Sequence, residues 1–405
     1  VRRNLLFLFA AGLLFWSSLA SLLPTLPLYI QDTGATKQEI GIIMGSFAIG
    51  LLIFRPWLGQ LADRQGRKIV LLIGMVVAAI APIGYVLVKS ISLLIALRIF
   101  HGISIAAFST GFNTLVADLA PFSRRGEIIG YMSLVNPIGL AIGPAIGGYL
   151  QDTAGNLPLF LLAGGLGCLG LLGIVPIVNP EHQQTQHSHN SRQSHNQRFW
   201  QILVSPRVRV PAFVLLIVGL VIGTLHTFAP LFIKSMEIDL NPGLFYTAAA
   251  IGSFSVRFLG GRLSDRFGRG LIITVGLVFY ALSMIMLWKA NSNFTFLLAG
   301  IVEGIGGGTL IPMVTAMMAD RSLLHERGRV FALCALGFDL GIAIAGPIFG
   351  SVAEEVGYPN MFAFVGGLTL LAILVFVTQS GKNLSSSVRF AFGRGEDTYR
   401  EGSRE

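Results

Sequence analysis

Along this chain of 405 residues, long apolar runs alternate with short polar breaks, and the runs have similar lengths. They fall at about 5–29, 39–58, 69–88, 92–117, 126–150, 157–178, 208–233, 241–260, 270–289, 293–318, 328–351 and 358–379. A helix needs roughly 20 apolar residues to cross a bilayer, so the pattern predicts twelve spanning helices. The first run is too long for a signal-peptide core of about 7–15 residues and reads as a span. Between the sixth and seventh runs lies "PEHQQTQHSHNSRQSHNQRFWQ", polar and rich in Gln, His and Ser. Such a segment buries no core and reads as a flexible linker. From about Lys382 the chain is again polar and reads as disordered. The expected organisation is a six-helix bundle at 1–179, a cytoplasmic linker at 180–206, a second bundle at 207–380 and a cytoplasmic tail at 381–405.

Composition strengthens this reading. Charged residues make up 12% of the chain, against about 25% in soluble domains, and mean hydropathy is +0.71. The fold class expected is therefore all-α integral membrane. The net charge of +9 would suggest nucleic acid in a soluble protein. Here no basic run is interleaved with exposed aromatics, and the excess fits cytoplasmic loops instead. With the N-terminus inside, that side holds 22 of the 29 Lys and Arg residues. The opposite side holds four: Lys37, Lys89, Lys234 and Lys289. Arg55, Arg98 and Arg257 lie within runs. Both termini and the linker are thus expected in the cytoplasm. A leading Val1 is what a GTG start codon read literally, or a trimmed chain, would give, and the first alternative points to the inner membrane of a bacterium.

The chain also repeats itself. Asp63 and Asp265 are 202 residues apart, and so are Arg55 and Arg257, Gly66 and Gly268, Arg67 and Arg269, Asp118 and Asp320, and Gly126 and Gly328. One offset held through three runs and two breaks implies two homologous six-helix halves. Both start on the same side, so they are parallel repeats about an axis along the membrane normal.

The break after the second run, "GQLADRQGRK" (Gly59–Lys68), is dense in charge: Asp63, Arg64, Arg67 and Lys68. Gly59 and Gly66 permit a tight turn and close helix approach. Asp63 falls near a helix N-terminus with its partial positive charge. Arg67 is free to pair with an acid ending a neighbouring helix, and Asp118 is the natural one; Arg269 and Asp320 repeat the arrangement. In "GLAIGPAIGG", Gly139, Gly143 and Gly147 are four apart and line one helical face, where small residues let a neighbouring backbone approach; Pro144 adds a kink or a gap in the hydrogen bonds.

These motifs resemble those of the major facilitator superfamily. "GQLADRQGRK" is similar to its signature loop between helices 2 and 3, and "GGRLSDRFGR" (Gly260–Arg269) to its second copy. "GLAIGPAIGG" (Gly139–Gly148) matches its helix-5 antiporter motif. "LRIFHG" resembles its helix-4 motif, with His101 where Gln is usual, and "LPTLP" fits its proline pattern ending helix 1. The resemblance covers roughly residues 5–380 and implies twelve helices in two pseudo-symmetric bundles. It also implies a drug:proton antiporter-like branch, with alternating access and efflux. It makes Gly59, Asp63, Arg64, Gly66, Arg67, Asp118, Asp265, Arg269 and Asp320 a cytoplasmic latch. It makes the face of Gly139, Gly143, Pro144, Gly147 and Gly148 a contact between halves that suppresses leak.

Ionisable residues inside a membrane are costly and point to function. Arg98 and His101 share a face of the fourth run. Glu303 lies about ten residues, or roughly 15 Å, into the tenth. Asp339 is similarly deep in the eleventh, and His226 sits in the outer half of the seventh. The repeat offset matches His101 to Glu303, so Arg98, His101, Asn113 and Glu303 are expected to line one cavity. Glu303, Asp339, His101 and His226 are the proton-coupling candidates, Glu303 first, because burial disfavours a charged carboxylate. The linker histidines His182, His187, His189 and His195 have no metal-ligand frame, and Cys168 and Cys334 read as small buried residues. No metal or other cofactor is expected. The expected partners are a small organic substrate, protons and the lipid bilayer, with the protein a monomer. The alternatives are an importer or uniporter, which the helix-5 motif disfavours, and a membrane enzyme or sensor, for which no catalytic motif or added soluble domain appears.

Overall fold

The computed structural model describes residues 2–121, 124–177, 204–322 and 327–400. The linker histidines and most of 180–206 lie outside the described residues, and so do the side chains of 258–265, including Asp265. Among the described residues every regular element is an α-helix. Ten are long and apolar enough to cross a membrane. One of these, Arg329–Gln379, is two helices run together across Gly357, which has φ 78°. The helix Gly243–Phe267 occupies the eighth apolar run. The twelve runs are therefore all helical.

In chain order the helices are α1 (Arg2–Ser21), α2 (Leu26–Asp32), α3 (Lys37–Gln65), α4 (Arg67–Leu87), α5 (Ile91–Leu119), α6 (Arg125–Met132), α7 (Val135–Ala154) and α8 (Asn156–Ile174). They continue as α9 (Pro206–Ser235), α10 (Gly243–Phe267), α11 (Arg269–Trp288), α12 (Asn293–Asp320), α13 (Arg327–Gln379) and α14 (Leu384–Ala391). Two runs read as single helices are broken. Pro24 has no N–H to continue α1 and its ring crowds the preceding turn, so residues 22–25 form turns before α2. Pro137 does the same to the fifth run, which turns at Ser133 and Leu134 between α6 and α7. Caps set other boundaries: the Thr36 side chain accepts from Glu39 N while Glu39 accepts from Thr36 N, fixing the start of α3.

The chain groups into two compact units. The first holds residues 1–184 with 225–250 and 346–355. Here α1 packs on α7 and α8, α4 on α5 and α8, and α3 on α5. Its core joins Phe15, Phe108, Phe112, Met75 and Leu115. The second holds 185–224, 251–345 and 356–405, with α11 packed along α12 and against α14.

The tail departs from the expectation of disorder. Asn383 caps α14 by accepting from Ser386 N, and Thr274 Oγ1 donates to Ala391 O at 2.9 Å. Arg321, fully buried, is the anchor. Its Nε lies 2.7 Å from Asp397 Oδ2, its Nη2 donates to Ser380 O at 2.7 Å, and the Phe390 and Tyr399 rings flank it at 5.5 and 5.2 Å. A buried guanidinium needs such partners, and the tail supplies them. Cys168 is another departure: it is exposed on α8, whereas Cys334 is buried.

Candidate functional site

At the end of the bundle that carries the signature loop, Gly66 links α3 to α4 with φ 102° and ψ 154°, a conformation open in practice to glycine alone. The turn brings Asp63, in the last turn of α3, to 2.6 Å from Arg67 Nη1 at the start of α4. Arg67 Nε is also 3.5 Å from Asp118 Oδ2 at the end of α5. Arg67 thus ties three helix ends together. In the second unit Gly268 repeats the turn with φ 83°, and Arg269 Nη1 lies 2.7 Å from Asp320 Oδ2. Arg64 is exposed. Gly59 does not serve close approach: a Cβ there would meet nothing within 4 Å.

At the opposite end of the first unit, four helix ends are clasped. Asn241 Nδ2 donates to Asp152 Oδ2 at 2.7 Å, and its Oδ1 accepts from Gly243 N at 2.8 Å, which starts α10. Thr247 Oγ1 donates to Ala141 O in α7 at 3.1 Å. Lys37 Nζ donates to Ala353 O at 2.9 Å, and Gln38 N to Glu354 Oε1 at 3.1 Å. One turn deeper, Gly41 of α3 meets Gly346 of α13 backbone to backbone, so that a Cβ on either would collide with the other's carbonyl.

The α7 motif divides its work. The stripe of Gly139, Gly143 and Gly147 seats α1, since Cβ atoms there would strike Trp16, Ser17 and Ser21. That contact lies inside the N-terminal half, which corrects the expectation of a contact between halves for these three. Pro144 and Gly148 do meet the later half: Gly243 packs on the Pro144 carbonyl, and Gly148 on the Asn241 side chain.

The candidate residues within the spans fall in both units. In the first, Arg98 and His101 are buried on α5. The Arg98 guanidinium lies 4.5 Å over the Phe47 ring, its Nη2 reaches Met44 O at 3.4 Å, and its Nε has no hydrogen-bond partner among the described residues. His101 Nδ1 is 3.0 Å from the Tyr85 hydroxyl, and Tyr29 donates to Tyr85 O at 2.7 Å. His226 on α9 is half-buried beside Tyr246, 5.9 Å between ring centres. Asn113, six residues short of the end of α5, is exposed. In the second unit Glu303 is half-buried on α12, facing Tyr280 of α11. A Cβ at Gly307 would sit 2.8 Å from the Tyr280 hydroxyl and 3.7 Å from Glu303 Oε1, so glycine keeps the space between them open. The hydroxyl makes no hydrogen bond of good geometry, which leaves the carboxyl as its available partner. Asp339 is buried on α13. Among the described residues, no three His, Cys, Asp or Glu side chains are grouped to hold a metal ion. Sequence reading missed Tyr85 and Tyr280, marked only by their place on the helix beside an ionisable residue, and also Asn241 and Asp152, the latter four residues past Gly148 on α7 itself.

Known proteins agree with this architecture. The model of the Major Facilitator Superfamily matches residues 8–266 and again 239–391. The chain belongs to the major facilitator superfamily. Among sequence relatives, the quinolone resistance protein NorA of Staphylococcus aureus (strain MSSA476) is 24% identical over 375 residues, 89% of this chain and 93% of that one. A multi-drug resistance efflux pump PmrA homolog of Lactococcus lactis subsp. lactis (strain IL1403) is 25% identical over 389 residues, 92% and 93% of the two chains. Among solved structures, a variant of the nucleoside transporter NupG superposes with a TM-score of 0.80 at 14% identity over 92% of this chain and 98% of that one. A D-xylose-proton symporter gives 0.76 at 16% identity over 92% and 96%. At such identities the structures speak to the fold. As a member of the superfamily, this protein is an integral membrane transporter and not an enzyme.

Proposed function

We propose that this transporter exports a small organic molecule across the inner membrane of a bacterium in exchange for protons, by alternating access, with both termini in the cytoplasm. One observation carries the reading: a carboxyl group, Glu303, is held inside a span next to a tyrosine hydroxyl. An exchanger needs a group whose protonation and substrate occupancy exclude each other, and a carboxyl held within a span suits that task. The relatives named for quinolone and multi-drug resistance favour export and an organic substrate. The two ends supply the gates. The Arg67–Asp118 and Arg269–Asp320 pairs bind helix ends at the cytoplasmic side, with Asp63 and Asp265 as partners in the latch. The Asn241–Asp152 and Lys37–Ala353 bonds clasp the outer side. Arg98, His101 and Asn113 belong to the substrate path, and Asp339, His101 and His226 are the further proton candidates.

The test is substrate-induced proton release from the purified monomer in detergent, measured for Glu303→Gln and Asp339→Asn separately. Glu303→Gln keeps the size and removes the titrating group, so release is expected to disappear in that variant. Full release from both variants would remove both acids as carriers and turn attention to His101 and His226.

A further inference from the structure

The C-terminal helix α14 has two faces with different owners. Ser387, Phe390 and Ala391 are buried against the second unit, held by the Arg321 anchor described above. The turn after α14 is fixed too: Gly393, with φ 69°, packs on the carbonyl of Phe267. Next to the buried face runs a row at i, i+4 and i+8, Leu384, Val388 and Phe392, which share one side of the helix. Among the described residues the row is partly uncovered: Leu384 is 61% and Phe392 51% exposed, with Val388 half-buried between them. Phe267, at the adjoining α10–α11 corner, is 41% exposed, with Arg266 lying 5.2 Å from its ring.

Past this apolar row come cations. Lys382, Arg389 and Arg394 are all exposed, whereas of the two acids among the described residues of the tail Asp397 is taken by Arg321 and Glu396 is exposed. α13 ends at Gln379, so α14 begins within five residues of a span's end. At that level lipid tails give way to headgroups. A helix with one apolar side and flanking basic residues at this level lies in the membrane interface, and anionic headgroups attract its cations.

We propose that α14 is a lipid-contact element. Leu384, Val388 and Phe392 enter the edge of the hydrocarbon layer, and Lys382, Arg389 and Arg394 hold anionic lipid headgroups. Charge complementarity and the nearness of the span's end select lipid over a protein partner. The sequence pattern "LSSSVRFAFGR" alone does not announce this, because its apolar row becomes a surface only once Arg321 has fixed which side faces the protein.

The experiment uses full-length protein in nanodiscs of phosphatidylcholine alone or with phosphatidylglycerol. Val388→Cys carries an environment-sensitive fluorophore; Cys334 is buried, so Cys168→Ala leaves position 388 as the reactive site. Emission is expected to shift to the blue, and quenching by neutral acrylamide to fall, when phosphatidylglycerol is present. The triple variant Lys382→Gln, Arg389→Gln, Arg394→Gln should lose that difference. It should also retain at least about tenfold less phosphatidylglycerol in native mass spectrometry, at roughly fivefold per cation near an anionic surface. These side chains are exposed, so the variants keep the fold, which thermal unfolding checks. Identical emission in both lipids, unaltered by the triple variant, would overturn the proposal. So would a dimer abolished by Phe392→Ser, which would give the row to a second copy. A nanodisc offers both leaflets and the readout involves no transport, so failure of the efflux reading or of the orientation would leave this result standing.

Discussion

Gly66 and Gly59 sit seven residues apart in one motif and do different things. Gly66 occupies a backbone region that costs other residues about 1–3 kcal/mol, and Arg67 depends on it to reach both Asp63 and Asp118. Gly59 lies inside α3 with open space where a Cβ would go, and glycine in a helix interior costs about 0.5–1 kcal/mol relative to alanine. Gly66→Ala should therefore lower the melting temperature in detergent and depress transport, whereas Gly59→Ala should leave the melting temperature equal or higher. Equal losses from both would mean that Gly59 meets a neighbour in another state of the cycle. The ion pairs themselves were legible in the sequence because one offset relates Arg67 and Asp118 to Arg269 and Asp320. Tyr280 was not, because an aromatic residue in an apolar run gives no periodic or charge signal until a neighbouring helix brings it to Glu303. In the Asp63–Arg67 pair the aspartate is 75% and the arginine 23% exposed, and pairs reached by solvent contribute about 0–1 kcal/mol.

At the level of helices, the spans were readable because bilayer thickness fixes the length of an apolar run. Their internal breaks were less so. Pro24 and Pro137 interrupt runs whose hydropathy stays high on both sides, and hydropathy records only the run. The helix at the C-terminus was illegible for another reason: a short serine-rich segment has little helical tendency of its own, and Arg321, distant in sequence, supplies the stability. The α7 motif was legible as a packing face, but which neighbour it packs on is a tertiary fact, and the answer is α1 for three glycines and Asn241, just before α10, for Gly148. The outer clasp follows from the same helices. Asn241→Ala removes the bond to Asp152 and the one to Gly243 N. At about 1 kcal/mol per hydrogen bond, the clasped population should fall by several-fold. Spin labels at Thr33 and Glu355, both exposed in the first unit, should report a longer-distance population in Asn241→Ala. An unchanged distance distribution would show that the glycine contacts of Gly41 and Gly346 hold this end without Asn241.

For the whole molecule, orientation and coupling are the two claims to test. With the linker inside, as proposed from the split of Lys and Arg, a cysteine at Gln186 should resist an impermeant reagent in intact cells while one at Glu237 reacts; the reverse pattern would invert the topology. Coupling to protons is measured most directly by transport into liposomes. The purified protein is reconstituted, a proton gradient is imposed, and movement of a panel of organic dyes and drugs is followed. With coupling to protons, the gradient drives at least one compound uphill and a protonophore abolishes this. Glu303→Gln is expected to lose the driven component while exchange down a substrate gradient survives. Uphill movement of no compound, or transport equally fast with and without the proton gradient, would contradict proton coupling.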